Sequence, residues 1–111
     1  MVVDLDEVYR ILLRVIQTKD TITYTDLSQA YAVQRGGSIS PRGWGEHLYA
    51  VSRRCTLAKL PPISTVVVNA SDNMPGDGYW GIPGAPAYKD WNQWKAVLGT
   101  VYAAKWPAKL P

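Results

Sequence analysis

The residues best suited to contact a polyanion lie along one predicted helix in the middle of the chain. Arg42, Tyr49 and Arg53 fall on one face of that helix, and Arg54 lies near the edge of the same face. Arginine binds phosphates or guanine edges, and tyrosine can hydrogen-bond a phosphate or stack on a base. Glu46 lies among them, so the same face is equally consistent with a solvated surface that holds an Arg42 to Glu46 pair.

A second candidate surface is aromatic. Tyr79 and Trp80 follow a glycine-rich turn at residues 76–78 and could form an exposed platform for a base or a ligand. Alternatively, they are inward-facing residues of a hairpin strand and pack on Trp91 and Trp94. The turn is not a phosphate loop, because neither Lys-Ser nor Lys-Thr follows its glycines.

Residue types that perform catalysis or bind metals are few. The chain has one cysteine, Cys55, and one histidine, His47, which excludes an internal disulfide and the usual structural zinc sets. Cys55 falls on the apolar stripe of its helix, where burial raises the pKa of a thiol and suppresses its reactivity. We therefore expect no enzymatic activity, no cofactor and no bound metal.

Length and composition predict one folded domain over residues 1–111. Of its 111 residues, 47% are hydrophobic and 19% are charged. No apolar run reaches the roughly 18 residues that a membrane span needs, and Asp4 lies where a signal peptide would carry a base, so we expect a cytoplasmic protein with no membrane partner. The formal net charge is +3, and residues 34–60 hold five bases against one acid. The positive charge is thus concentrated around the arginine-bearing helix.

Apolar spacing and capping residues predict the elements that position these side chains. Four helices are expected, over residues 4–17, 26–32, 41–59 and 90–106. The β-branched run at residues 63–69 predicts a strand. Residues 79–82 are expected to return as its short antiparallel partner. A Pro- and Gly-rich linker at residues 83–88 leads to the last helix. The order is typical of an α+β domain of the winged helix-turn-helix type, with about four helices and a short β-hairpin.

Two short motifs, ITYTDL at residues 22–27 and SPRGWG at residues 40–45, resemble segments of a known family in the same order. The family comprises the alkylguanine-DNA alkyltransferases and the non-catalytic alkyltransferase-like proteins, and the resemblance to its winged-helix DNA-binding domain covers about residues 22–106. The first motif resembles the segment whose tyrosine helps to rotate a nucleotide out of the duplex, which implies this role for Tyr24. The second resembles the start of the recognition helix, which implies that Arg42 fills the gap left in the base stack.

A third motif departs from the family. PISTVV at residues 62–67 lies where the family has Pro-Cys-His-Arg-Val-Val, and residues 76–79 resemble the glycine-tyrosine turn that follows. Ile63 therefore takes the place of the nucleophilic cysteine, while Ser64 and Thr65 replace the histidine and the arginine. The resemblance implies DNA binding without alkyl transfer.

Two hypotheses of function follow. The first is a non-enzymatic winged-helix protein that binds double-stranded DNA, with damaged or flipped bases as a candidate target. Its proposed contacts are Tyr24, Arg42, Tyr49, Arg53 and Arg54.

The alternative is a small protein-interaction module, such as an immunity protein or a phage-defence inhibitor. It is suggested by five tryptophans and seven tyrosines, which are favoured interface anchors. Tyr79 and Trp80, with Tyr49, would lie at that interface. A pocket for a small ligand or nucleotide is a third, less supported hypothesis.

Overall fold

The computed structural model describes residues 2–37 and 39–111. Within them lie four α-helices and two short strands, and the fold is of the α+β class. The elements are α1 (Leu5–Gln17), β1 (Ile22–Thr23), α2 (Tyr24–Arg35), α3 (Gly45–Leu57), β2 (Val67–Val68) and α4 (Trp91–Ala103), with single 3-10 turns at Pro41–Gly43 and Ile63–Val66. No helix in this part of the chain is long and apolar enough to cross a bilayer.

Helix α1 forms where its pattern predicts it. The side chain of Asp4 accepts a hydrogen bond from the backbone N–H of Glu7 and so caps the first turn. Val8 and Leu12 are fully buried, and Ile16 continues the same apolar stripe one turn later. The expected helix over residues 4–17 is confirmed.

Helix α2 is longer than expected and begins earlier. Thr23 is its cap, with a side-chain oxygen that accepts from the backbone N–H of Asp26, so the helix begins at Tyr24. It ends at Gly36, whose φ of 75° is left-handed and suits glycine.

The predicted third helix is interrupted. Ser40 and Pro41 begin a helical segment as expected, but the segment is a 3-10 turn that ends at Gly43, and α3 begins only at Gly45. Two glycines flank Trp44, and glycine is a poor helix former. Trp44 is fully buried at this break, and Leu48, Val51 and Cys55 continue a buried stripe along α3, which confirms the apolar stripe expected to include Cys55.

The sheet differs from the predicted hairpin. β1 pairs with β2 in parallel, with Ile22 opposite Val67 and Thr23 opposite Val68. The antiparallel partner expected at residues 79–82 is wrong, because this segment is a series of turns. The strand predicted over residues 63–69 is limited to Val67–Val68, because Ile63–Val66 form a 3-10 turn. Residues 62–68 are all buried, so neither part has a solvent face.

The linker at residues 83–88 folds back on the rest of the domain. Pro86 is buried, and its carbonyl oxygen accepts from the backbone N–H of Gly81 at 2.8 Å. A Cβ atom on Gly84 would lie 2.9 Å from the Cδ of Pro62, so the two segments touch. Helix α4 begins one residue after its cap, Asp90, as the pattern predicts.

Candidate functional site

Arg42 is presented to solvent by a buried tryptophan two residues later. The indole nitrogen of Trp44 donates to the hydroxyl of Ser28 on α2 at 2.7 Å, and the ring packs edge-on against Tyr31 at 5.8 Å between centroids. Ser40 caps the 3-10 turn by accepting from the backbone N–H of Arg42. Trp44 therefore fixes this turn against α2, while the Arg42 side chain points away from the core.

Tyr24 reaches the same region from the first position of α2. Its phenol oxygen accepts a hydrogen bond from the backbone N–H of Gly76 at 2.8 Å. The side chain is partly buried, and burial raises the pKa of the Tyr24 phenol above its usual value. The ring is thus held between α2 and the loop at residues 69–78.

Tyr24 and Arg42 line one cleft of about 360 Å³, which lies between the start of α2, the start of α3 and the loop at residues 69–78. Tyr49 on α3 and Tyr79 also line it. Its volume falls in the range of pockets that take small organic groups, about 300–1,000 Å³. Two residues that the sequence motifs single out separately are therefore brought together.

Tyr79 forms the inner part of this cleft and is only 5% exposed. The hydroxyl of Thr65 donates to the Pro62 carbonyl oxygen at 2.7 Å, so the 2.9 Å contact between Thr65 and Tyr79 has the tyrosine as donor. Burial raises the pKa of the Tyr79 phenol to about 12. Tyr79 therefore faces inward, as one of the two alternatives for this residue predicts, but it lies in a turn and not on a hairpin strand, and it does not form an exposed aromatic platform.

A pair of buried serines lies behind the cleft. The hydroxyl of Ser52 on α3 donates to the Ser64 hydroxyl oxygen at 2.7 Å and accepts from the Ser64 backbone N–H at 3.0 Å. Ser64 also lines the cleft. Sequence reasoning singled out Ser64 only as a replacement for a family residue and passed over Ser52, since a lone serine on a helix carries no signal of a buried partner.

Two positions that bear on nucleophilic chemistry are both buried. Ile63, in the place of the family's cysteine, is fully buried and chemically inert. Cys55 is buried on α3, and burial raises the pKa of its thiol to about 12. Among residues 2–37 and 39–111, no group of three or more His, Cys, Asp or Glu side chains is arranged to hold a metal ion.

The other predicted site residues do not lie together in the structure. Arg53 is exposed on α3, one turn beyond Tyr49, which itself is 46% exposed. The Arg54 side chain turns elsewhere, because its Nε donates to the backbone carbonyl of Pro111 at 2.6 Å. Trp80 is partly buried, and its indole nitrogen is buried without a hydrogen-bond partner among the described residues. The structure thus brings Arg42 and Tyr49 together at the cleft and directs Arg54 away from it.

Comparison with protein-family models, with curated proteins and with solved structures found no match to this chain.

Proposed function

We propose that this protein binds double-stranded DNA without acting as an enzyme, and that its cleft receives a base displaced from the duplex. One observation carries the proposal: Tyr24 and Arg42, on separate elements, line the same cleft at the exposed start of α3. A base must leave the stack before a protein can enclose it, and a side chain that fills the gap lowers the cost. Damaged or mismatched bases leave the stack most easily, so they are the favoured occupants.

The exposed face of α3 supplies the contact to the backbone. The expected single helical face is interrupted, because Arg42 lies in the 3-10 turn before α3 and Arg53 lies on α3 itself. Arg42 lines the cleft together with the half-exposed Tyr49, and Arg53 is exposed one turn beyond Tyr49. In the part of the chain that the structure describes, no carboxylate lies within ion-pair distance of either arginine, and Glu46 does not pair with Arg42. Both guanidinium groups therefore remain available for phosphates.

The assignment of this fold to the winged helix-turn-helix type is part of the same proposal. Helix α2, the turn after it and α3 would form a helix-turn-helix unit, with the Trp44 to Ser28 hydrogen bond holding the two helices. The loop at residues 69–78 would take the part of a wing, although its backbone forms turns instead of a hairpin.

The test is fluorescence anisotropy with a labelled duplex at about 50 and about 200 mM salt, because binding to phosphates falls steeply as salt rises. We expect Arg42→Ala to weaken binding and to lower the slope of log K against log salt by about one unit. Arg14→Ala, an exposed arginine on α1 that does not line the cleft, is the matched control and leaves the slope unchanged. Absence of binding at the lower salt would contradict the proposal.

A protein partner is the second candidate, and one observation favours it at a new location. Trp91 is 49% exposed and Tyr88 is 62% exposed, whereas the residues first assigned to the interface, Tyr79 and Trp80, are wholly or partly buried. Lys95 lies 5.6 Å above the Trp91 ring. Large exposed aromatics of this kind are frequent interface anchors. In this case Trp91→Ala would abolish a salt-insensitive association that Arg42→Ala leaves intact.

A further inference from the structure

The inner wall of the cleft carries a buried hydroxyl whose proton meets no acceptor among the described residues. Ser64 is 5% exposed and lines the cleft. A serine hydroxyl has one proton to donate and two lone pairs that accept. In the 2.7 Å contact between the two serines, the proton comes from Ser52, so the Ser64 oxygen is the acceptor.

The proton of the Ser64 hydroxyl is therefore available to donate to a further acceptor. Ser52 does not accept this proton, because it is itself the donor of the 2.7 Å contact, and its oxygen accepts the Ser64 backbone N–H at 3.0 Å. No other polar atom in residues 2–37 and 39–111 accepts from the Ser64 hydroxyl. Buried donors are almost always paired in folded proteins, which indicates that a ligand or an ordered water completes this one.

Tyr24 presents a second donor of the same kind. Its phenol oxygen accepts from the Gly76 N–H, and within the described chain its own proton meets no acceptor. The two hydroxyls lie on different walls of one cleft, and the guanidinium of Arg42, which can only donate, is a third lining group. These three donors share the cleft with the carboxylate of Asp77 and the amide of Asn69, so the part of the occupant that meets Ser64 should be an acceptor.

We infer that Ser64 determines which base the cleft accepts, by donating to a keto oxygen of the displaced base. This inference rests on the proposed function and adds a specificity to it. Guanine and thymine carry keto oxygens at the position where adenine and cytosine carry an amino group. An amino group could at best donate to the second lone pair of the Ser64 oxygen, and it would leave the buried Ser64 proton without an acceptor.

The experiment measures a ratio of affinities. Four short duplexes carry one central base opposite an abasic site, which frees that base to leave the stack, and the base is thymine, cytosine, guanine or adenine. The wild-type protein is expected to bind the thymine duplex about three- to tenfold more tightly than the cytosine duplex, and guanine likewise over adenine, as one hydrogen bond allows. Ser64→Ala should reduce both ratios to near one.

Controls separate recognition from folding. Ser71→Ala removes an exposed serine that does not line the cleft, and it should keep both ratios. If Ser64→Ala fails to fold, Ser64→Cys keeps the shape with a weaker donor and should give intermediate ratios. Loss of stability alone would weaken binding to all four duplexes equally and leave the ratios unchanged.

The outcomes distinguish the two proposals. Ratios that fall in Ser64→Ala support the specificity, whereas equal ratios in wild type and Ser64→Ala overturn it while DNA binding stands. If the wild-type protein binds none of the four duplexes at low salt, the proposed function itself is wrong, and this inference falls with it.

Discussion

The phenol oxygen of Tyr24 accepts a hydrogen bond from the backbone nitrogen of Gly76, 52 positions later in the chain. This contact ties the first turn of α2 to the loop at residues 69–78. A Cβ atom at position 76 would lie 3.2 Å from the same oxygen, so glycine allows the close approach. The wall of the cleft therefore depends on the hydroxyl of Tyr24 as well as on its ring.

Removal of this hydroxyl should destabilise the fold. Tyr24→Phe leaves the partly buried Gly76 N–H without an acceptor, and we expect a loss of about 1–3 kcal/mol in the free energy of unfolding. Urea denaturation followed by tryptophan fluorescence measures it. Tyr88→Phe removes an exposed hydroxyl and should change stability by less than about 0.5 kcal/mol. Equal stability of the two variants would contradict the structural role of the contact.

Two glycines should respond in opposite directions to alanine. Gly84 has a φ of 85°, and a Cβ there would lie 2.9 Å from Pro62, so Gly84→Ala should destabilise the protein by more than about 1 kcal/mol. Gly99 is exposed within α4 and has open space around it, so Gly99→Ala should stabilise the protein by about 0.5–1 kcal/mol. Thermal unfolding of both variants gives the comparison. A stabilising Gly84→Ala would show that the linker at residues 83–88 does not pack as described.

Adjacent arginines on α3 should differ in their effect on DNA binding. Arg53 is exposed on the proposed contact face, whereas the Arg54 guanidinium is bound to the Pro111 carbonyl. Arg53→Ala is expected to lower the salt slope by about one unit, and Arg54→Ala to leave it unchanged. Anisotropy titrations at several salt concentrations measure both slopes. If Arg54→Ala lowers the slope and Arg53→Ala does not, the DNA lies on the other side of α3.

Alkaline pH should weaken the fold through buried acids. Burial raises the pKa of the Cys55 thiol and of the Tyr79 phenol to about 12 each, so the folded protein holds both protons more tightly than the unfolded chain. This stabilisation is complete below the unfolded thiol pKa of about 8.5 and is lost as pH rises toward 12. Urea midpoints measured from pH 8 to 11 should fall.

Cys55→Ala isolates the contribution of the thiol. The variant starts less stable because a small buried side chain is lost. Its urea midpoint should nevertheless fall less between pH 8 and about 9.5, where the thiol of the unfolded chain ionises ahead of the phenols, whose usual pKa is about 10. An identical fall of the urea midpoint in wild type and variant would show that Cys55 does not contribute to the pH dependence of stability.

Local chemistry predicts much of the helical structure. Asp4 caps α1, Thr23 caps α2, Ser40 begins the 3-10 turn and Asp90 caps α4, each through a short-range hydrogen bond that the sequence alone makes visible. The segment that begins at Ile63 is harder to predict, because a continuous apolar run has no period that separates a strand from a buried 3-10 turn. For this reason the predicted hairpin is wrong.

The features that the sequence did not predict depend on contacts between residues that are distant in sequence. A helical wheel puts Arg54 beside Arg53, yet the carbonyl of Pro111, 57 positions away, takes the Arg54 guanidinium. The shared cleft of Tyr24 and Arg42 likewise depends on the packing of Trp44 on Ser28. No periodicity within one element encodes such contacts.

The parallel pairing of β1 with β2 has a consequence for how the chain folds. Ile22 cannot meet Val67 until α2, α3 and the turns between them have brought the two segments side by side, since a parallel pair needs a long crossover. The loop-closure entropy of this contact is large, and we expect the contact to form late in folding. Substitutions at these strands should therefore accelerate unfolding more than they retard folding.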